Sequence, residues 1–176
     1  MLRPPDMPPT VELLALPAPV LRALLGGDLR AASRAAGVDL PPTFLDDGSL
    51  WGLRLGQLES DPACAHWLIR AIVGPAGAVV GHAGYHGPPD ERGMVEVGYF
   101  VDEPHRRRGY GRATLERLLA YATDAGAGVA RASVAPANDP SLALIRAFGF
   151  VHVGEQWDDE DGLELIFERP LALDSG

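Results

Sequence analysis

Apolar positions change their spacing several times along the chain. Thr10 to Leu16 (TVELLAL) reads as a first strand. Two amphipathic stretches follow, Pro19 to Leu25 and Asp28 to Ala36, with Gly26-Gly27 and Gly37 as stop signals. Leu50 to Leu58 is apolar at 50, 51, 53, 55 and 58 and fits neither period cleanly; the Asp61-Pro62 pair that closes it favours a helix. His66 to Val73, Ala78 to Tyr85 and Met94 to Val101 are short β-branched or aromatic runs separated by Gly/Pro turns. They predict a three-stranded antiparallel meander.

From Gly109 to Ala125 the period becomes helical, with Leu115, Leu118, Leu119 and Ala122 on one face and Gly126-Ala127-Gly128 as the stop. Val129 to Val134 is the next strand, so strand, helix and strand form a crossover with parallel outer strands. Asp139-Pro140 predicts an N-cap and first position of a short helix reaching Phe148. Phe150 to Trp157 and Leu163 to Phe167 close the chain as a hairpin around the acidic turn Asp158 to Asp161. The fold class expected is α/β: one domain over residues 10–170, with a mixed central sheet of about seven strands flanked by about four helices. Residues 1–9 are expected as an extended Pro-rich tail and 171–176 as a flexible one.

Composition narrows the chemistry. The 176 residues carry a formal net charge of -9, and all 15 basic residues are Arg. Without Lys there is no Schiff-base or pyridoxal-phosphate lysine and no Walker-A motif. An acidic chain is a poor general nucleic-acid binder, because neutralising phosphates requires a basic face. Cys64 stands alone, which excludes an internal disulfide and a Cys-rich zinc site; beside an apolar run it reads as a buried small hydrophobe. The N-terminus lacks an apolar secretory core, and no apolar run approaches the roughly 20 residues that cross a bilayer. The expectation is a soluble cytoplasmic protein with no membrane partner.

Against that acidic background, four of the arginines fall between Arg106 and Arg112, in the segment Val101-Asp-Glu-Pro-His-Arg-Arg-Arg-Gly-Tyr-Gly-Arg112. The segment joins a strand to a helix, with Gly109 and Gly111 where the helix begins. A helix N-terminus offers free N–H groups and the positive end of the macrodipole, glycine lets backbone approach an anion, and arginine adds charge and fork geometry. The pattern reads as a pyrophosphate cradle made by Arg106, Arg107, Arg108, Gly109, Tyr110, Gly111 and Arg112; the alternative is a solvated basic turn. A dinucleotide fingerprint fails, since Gly109-Tyr-Gly-Arg-Ala-Thr114 lacks its third glycine and Arg131 to Val134 supplies no acidic residue for a ribose.

Arg106, Gly109 and Gly111 instead match Gln/Arg-x-x-Gly-x-Gly/Ala, and Asn138-Asp-Pro-Ser-Leu-Ala-Leu-Ile-Arg-Ala-Phe-Gly-Phe150 gives an Asn followed by a short helix ending in Gly-Phe. Together these segments resemble the GNAT superfamily of acyl-CoA N-acyltransferases, over roughly residues 78–168. The lead-in Glu96-Val-Gly-Tyr-Phe-Val101 and the Asn-x-x-Ser pattern are most similar to the branch containing ribosomal-protein N-terminal acetyltransferases. The resemblance implies acetyl-CoA as acyl donor and direct acyl transfer from its thioester to an amine of a small molecule or peptide N-terminus. By that likeness Phe100 and Val101 offer backbone hydrogen bonds to pantetheine, a backbone N–H near Val101 serves the oxyanion, Arg106 to Arg112 hold the pyrophosphate, and Asn138 contacts the cofactor arm. Loop chemistry ahead of a helix is the alternative for Asn138.

Acid–base roles are less determined. Glu96 lies on the strand leading to the cradle, with Gly98 and Phe100 on its face; it is either the general base or a carboxylate paired with an arginine or solvent. His86, on the preceding strand, is a base or substrate contact. His82, four strand positions away at about 13 Å, is too far to share a metal with it. Many family members carry a Tyr acid where this chain has Ile145, which cannot donate a proton. Ser141 is one substitute; satisfying the helix's first turn is its other reading, and water or an unprotonated leaving thiolate also remains. The missing Tyr motivates a second hypothesis, a catalytically silent acyl-CoA-binding or sensor domain. The turn at Asp158 to Asp161 suggests a cationic acceptor, or merely a solvated acidic turn, and a homodimer stays open.

Overall fold

In the computed structural model, residues 8–171 are described. Most of the two expected tails, at residues 1–7 and 172–176, lies outside them. In chain order the elements are β1 (Glu12–Ala15), α1 (Ala18–Leu25), α2 (Leu29–Ala36), α3 (Gly48–Ser60), β2 (Arg70–Val73), β3 (Val79–Tyr85), β4 (Met94–Val101), α4 (Tyr110–Asp124), β5 (Val129–Val134), α5 (Asp139–Ala147), β6 (Val151–Asp158) and β7 (Gly162–Pro170). Short 3-10 turns at Pro42–Leu45, Pro62–Trp67 and Glu103–His105 complete the list. The strands form a seven-stranded mixed sheet in the order β1-β2-β3-β4-β5-β7-β6. Five α-helices are present among the described residues, where about four are expected.

The chain divides into two compact units, residues 8–84 with 99–117, and residues 85–98 with 118–171. In the first, α1 turns Val20, Leu21 and Leu24 inward, the i, i+1, i+4 stripe of an amphipathic helix. They pack in one core with Leu16, Phe44, Trp51 and Ile69. Asp28 caps α2 by accepting from Ala31 N at 2.8 Å, and Gly37 ends it in the left-handed conformation, as the stop signals predict. The ambiguous apolar run is the helix α3; it buries Trp51 while leaving Leu53 exposed, and that mixture blurs its periodicity. Trp51 Nε1 donates to Phe44 O at 2.5 Å, so the largest core side chain also has its polar atom satisfied.

One predicted strand is too long. His66 and Trp67 belong to a 3-10 turn, and β2 begins only at Arg70. Asp61 accepts from Ala63 N at 3.1 Å and Pro62 occupies the first turn, so local side-chain capping winds the chain before the apolar run can extend. Leu68 and Ile69 are buried without being strand, which is why the run looks like one. Cys64 is buried in this turn. Burial pushes its thiol pKa up and the Asp61 charge adds to that, as befits an inert packing residue.

In the second unit, β4 and β5 pair in parallel from Met94↔Val129 to Glu96↔Arg131, where the ladder ends. β5 continues antiparallel with β7 as far as Val134↔Leu165, and β6–β7 is the predicted hairpin. The cap of α5 sits one residue earlier than expected. Asn138, not Asp139, is the N-cap, with Pro140 in the first turn.

Candidate active site

Two groups of the predicted residues assemble, one in each unit. In the first, β4 ends at Val101 and the chain turns through Glu103–His105 into α4. Asp102 is buried and takes the Thr43 hydroxyl at 3.1 Å from either carboxylate oxygen, which pins the start of the turn. Arg106 folds back, its Nε donating to Val101 O at 2.9 Å and its guanidinium lying 5.3 Å from the centre of the Phe100 ring. Val101 O is therefore engaged by Arg106. Arg107 has φ +59, the one non-glycine among the described residues with positive φ, and Gly109 follows at +84. A left-handed arginine costs on the order of 1–2 kcal/mol, which marks the turn as conformationally constrained.

The first N–H of α4 with a backbone acceptor is Ala113, bonded to Gly109 O at 3.1 Å. Ahead of it, the N–H groups of Tyr110 and Gly111 have none among the described residues, as the geometry of a helix start requires. Arg106, Arg107 and Arg108 are exposed, and none has a carboxylate partner among the described residues; Arg112 stands 3.6 Å from Glu116. In a chain of net charge -9, three adjacent uncompensated guanidinium groups beside free N–H donors form a surface that favours a di-anion. The residues fit a pyrophosphate.

Beside this turn, His82 is buried with Nε2 3.1 Å from Asp47 Oδ2. Its ring stacks on Phe100 at 5.4 Å and meets Trp51 and Phe44 edge-on at 5.1 and 5.7 Å. Sequence spacing separates His82 from a metal role but does not reveal this aromatic surround.

In the second unit, Glu96 is the centre. Its side chain is 17% exposed, Oε1 accepts from Ser133 Oγ at 2.6 Å, and His86 Nδ1 stands 3.6 Å away. Neither arginine nor solvent alone accounts for its surroundings, because the neighbouring Arg131 is committed to Glu168 at 2.6 Å. His86 is half exposed and lies over Gly98: a Cβ added at Gly98 would come within 3.2 Å of Nε2. Ser133 and Gln156, absent from the sequence-derived set, complete the group, with Gln156 Nε2 donating to Ser133 Oγ at 3.2 Å and to Glu164 Oε2 at 2.8 Å. Strand alternation in β5 places Ser133 on the face of Arg131, the ladder partner of Glu96, and that register is the signal that could have found it.

Asn138 and Ser141 meet each other at the start of α5. Asn138 Oδ1 accepts from Ser141 N at 3.3 Å, so the capping alternative for Asn138 is the geometry present here. The Ser141 hydroxyl is bonded to no described residue. Ile145, at the position of the family's tyrosine, is buried. In the last turn Asp158 accepts from Glu160 N and Asp161 N at 2.8 and 2.9 Å. The bonds from Asp161 and then Glu160 hold its carboxyl below the ordinary range, with the nearby His86 charge contributing in the same direction.

A model of the acetyltransferase (GNAT) family matches residues 33–150. The chain belongs to the GNAT family. Among its relatives, YjdG of Bacillus subtilis, an uncharacterized N-acetyltransferase, is 41% identical over 44 residues, 25% of this chain and 26% of its own. The N-alpha-acetyltransferase RimI of Mycobacterium tuberculosis is 39% identical over 82 residues, 44% of this chain and 49% of its own. The GNAT chain thus spans about a quarter and about half the length of these two relatives. The crystal structure of a GNAT phosphinothricin acetyltransferase from Sinorhizobium meliloti, in complex with acetyl-CoA, shares the fold with a TM-score of 0.61 at 21% identity, over 96% of this chain and 91% of that one. No helix among the described residues of this GNAT chain is long and apolar enough to cross a membrane.

Proposed function

We propose that the chain is an acetyl-CoA-dependent N-acetyltransferase that acetylates a primary amine of a small molecule or of a peptide N-terminus. The observation that carries the reading is the turn into α4, where, among the described residues, Arg106 to Arg108 lack carboxylate partners and the N–H groups of Tyr110 and Gly111 have no backbone acceptor. Those groups would hold the pyrophosphate of acetyl-CoA, with Phe100 and Val101 toward its pantetheine arm. The bound donor supplies an activated acetyl thioester.

Glu96 is the base in this reading. A carboxylate mostly shielded from water, steadied by a hydroxyl and open to a half-exposed imidazole, can take the proton that an ammonium must lose before it attacks. Glu96 releases that first proton to solvent before the amine attacks; as the N–C bond forms and the C–S bond breaks, the second proton, shed by the acylated nitrogen, leaves by the same carboxylate. Ser141, its hydroxyl uncommitted among the described residues, is the donor proposed for the departing sulfur. Asp158 stays ionised, so the acidic turn keeps its charge at neutral pH and favours a cationic acceptor.

The test is release of free thiol from acetyl-CoA across a panel of amines. Buried Ile145 favours a second reading, a silent acyl-CoA sensor. That reading predicts acetyl-CoA binding by calorimetry with no thiol released for any amine.

A further inference from the structure

The carboxylate proposed as base is held by residues that neither motif contains. Ser133 Oγ lies 2.6 Å from Glu96 Oε1 and 3.2 Å from Gln156 Nε2. An amide N–H can only donate, so Gln156 fills a lone pair of the serine oxygen, and the serine proton is left to point at Glu96. Gln156 is itself fixed by Glu164, its cross-strand partner in the β6–β7 hairpin, at 2.8 Å. The direction of every bond in the row Glu164, Gln156, Ser133, Glu96 is thereby set.

We propose that Ser133, oriented by Gln156, is a positioning residue that holds the Glu96 carboxylate in one rotamer, with one oxygen occupied and the other left for the substrate proton. The proposal rests on the reading of Glu96 as base. A carboxylate on a strand has freedom about its last torsion, which is broad and roughly two-fold. The hydroxyl on Oε1 removes that freedom at one atom. His86, 3.6 Å from the same oxygen, is too far to do so in this arrangement. Of the charged groups near Glu96 among the described residues, Arg131, its ladder partner, is held by Glu168, and Glu164 is linked to Glu96 through Gln156 and Ser133.

The experiment is a double-mutant cycle on the full chain, read as kcat and as KM for acetyl-CoA. Ser133→Ala is expected to lower kcat about tenfold, since small misplacements of a reacting group are costly, with KM for acetyl-CoA unchanged. Ser133→Thr, which keeps the hydroxyl, should return kcat to within about threefold of wild type. Gln156→Leu breaks the row at an exposed strand position and should lower kcat in the same direction even if Ser133→Ala folds poorly. In a Glu96→Gln background, Ser133→Ala should have no further effect, because the group it positions is gone. Wild-type kcat in both Ser133→Ala and Gln156→Leu, with Glu96→Gln crippled, overturns the positioning role alone. An additive loss in the double mutant overturns it as well. Near-wild-type kcat in Glu96→Gln overturns the base reading itself, and the positioning role falls with it.

Discussion

The turn before α4 and the surroundings of Glu96 solve opposite electrostatic problems. At the turn, Arg106 to Arg108 have no carboxylate partner among the described residues, although Arg106 folds back onto Val101 O, and the start of the helix adds backbone N–H donors. Around Glu96 one carboxylate oxygen has been given neighbours, Ser133 at 2.6 Å and His86 at 3.6 Å, with Gln156 and Glu164 behind the serine. In the proposed function the cationic turn binds the anion of the donor and the carboxylate takes the proton of the acceptor. Binding and chemistry therefore respond to different kinds of substitution, and that separation can be tested.

The largest effect should come from removing the proposed base. Glu96→Gln should lower kcat by about 10²-fold or more, the usual span for general base catalysis, while calorimetry shows acetyl-CoA affinity unchanged. The converse change follows in size. Arg107→Ala with Arg108→Ala should weaken acetyl-CoA binding at least about tenfold at low salt, given about 1.5–3 kcal/mol for a charge-assisted bond, with kcat at saturation nearly preserved. If each substitution moves both parameters together, the two regions are not separate in function.

The turn was legible in the sequence because its chemistry is written in consecutive residues. Glycines, an arginine run and a strand-to-helix change of period all fall within one stretch, and the helix starts at Tyr110 as that stretch predicts. Most strands were equally legible, with β4 and β5 falling where the alternation placed them. The exceptions have local causes: Asp61-Pro62 winds a 3-10 turn that shortens β2, and Asn138 outcompetes Asp139 as a cap. Glu96 could be chosen from its strand, but its partners could not. Ser133 and Gln156 lie 37 and 60 positions further along the chain, as their numbers show, and reach Glu96 only through the register of β5 and β6. Spacing along a chain carries no record of a contact made across a sheet.

A smaller effect concerns the acceptor. Asp158 holds the hairpin turn through backbone bonds, so the substitutions that remove charge without disturbing the turn are Asp159→Asn and Asp161→Asn. Together they should raise KM for a cationic amine about threefold at low salt, and the difference should vanish near 0.5 M salt, where screening reaches only a few ångströms. An unchanged KM at low salt removes the acidic turn from substrate choice.

The smallest effect is on stability and belongs to the second unit alone. Glu168 takes bonds from Arg131 at 2.6 Å and Arg92 at 3.2 Å, and the Arg131 bond chiefly holds its pKa below the ordinary 4.5. A carboxylate with a depressed folded pKa stabilises the fold fully above its unfolded value, and the benefit is lost as pH falls through the folded value. Tm should therefore drop on acidification below about pH 4.5, and Arg131→Gln should flatten that part of the curve. Parallel melting curves for the two proteins between pH 3 and 7 would rule the pair out as a contributor.

The most direct test of the account is single-point but two-sided: thiol release from acetyl-CoA with a panel of cationic and neutral amines, beside acetyl-CoA calorimetry, for wild type and Glu96→Gln. The account predicts turnover by wild type with at least one amine, and a Glu96→Gln protein that binds acetyl-CoA as tightly yet releases thiol at about one hundredth of the rate or less. Tight acetyl-CoA binding by wild type with no thiol released for any amine would contradict it and leave a sensor in its place.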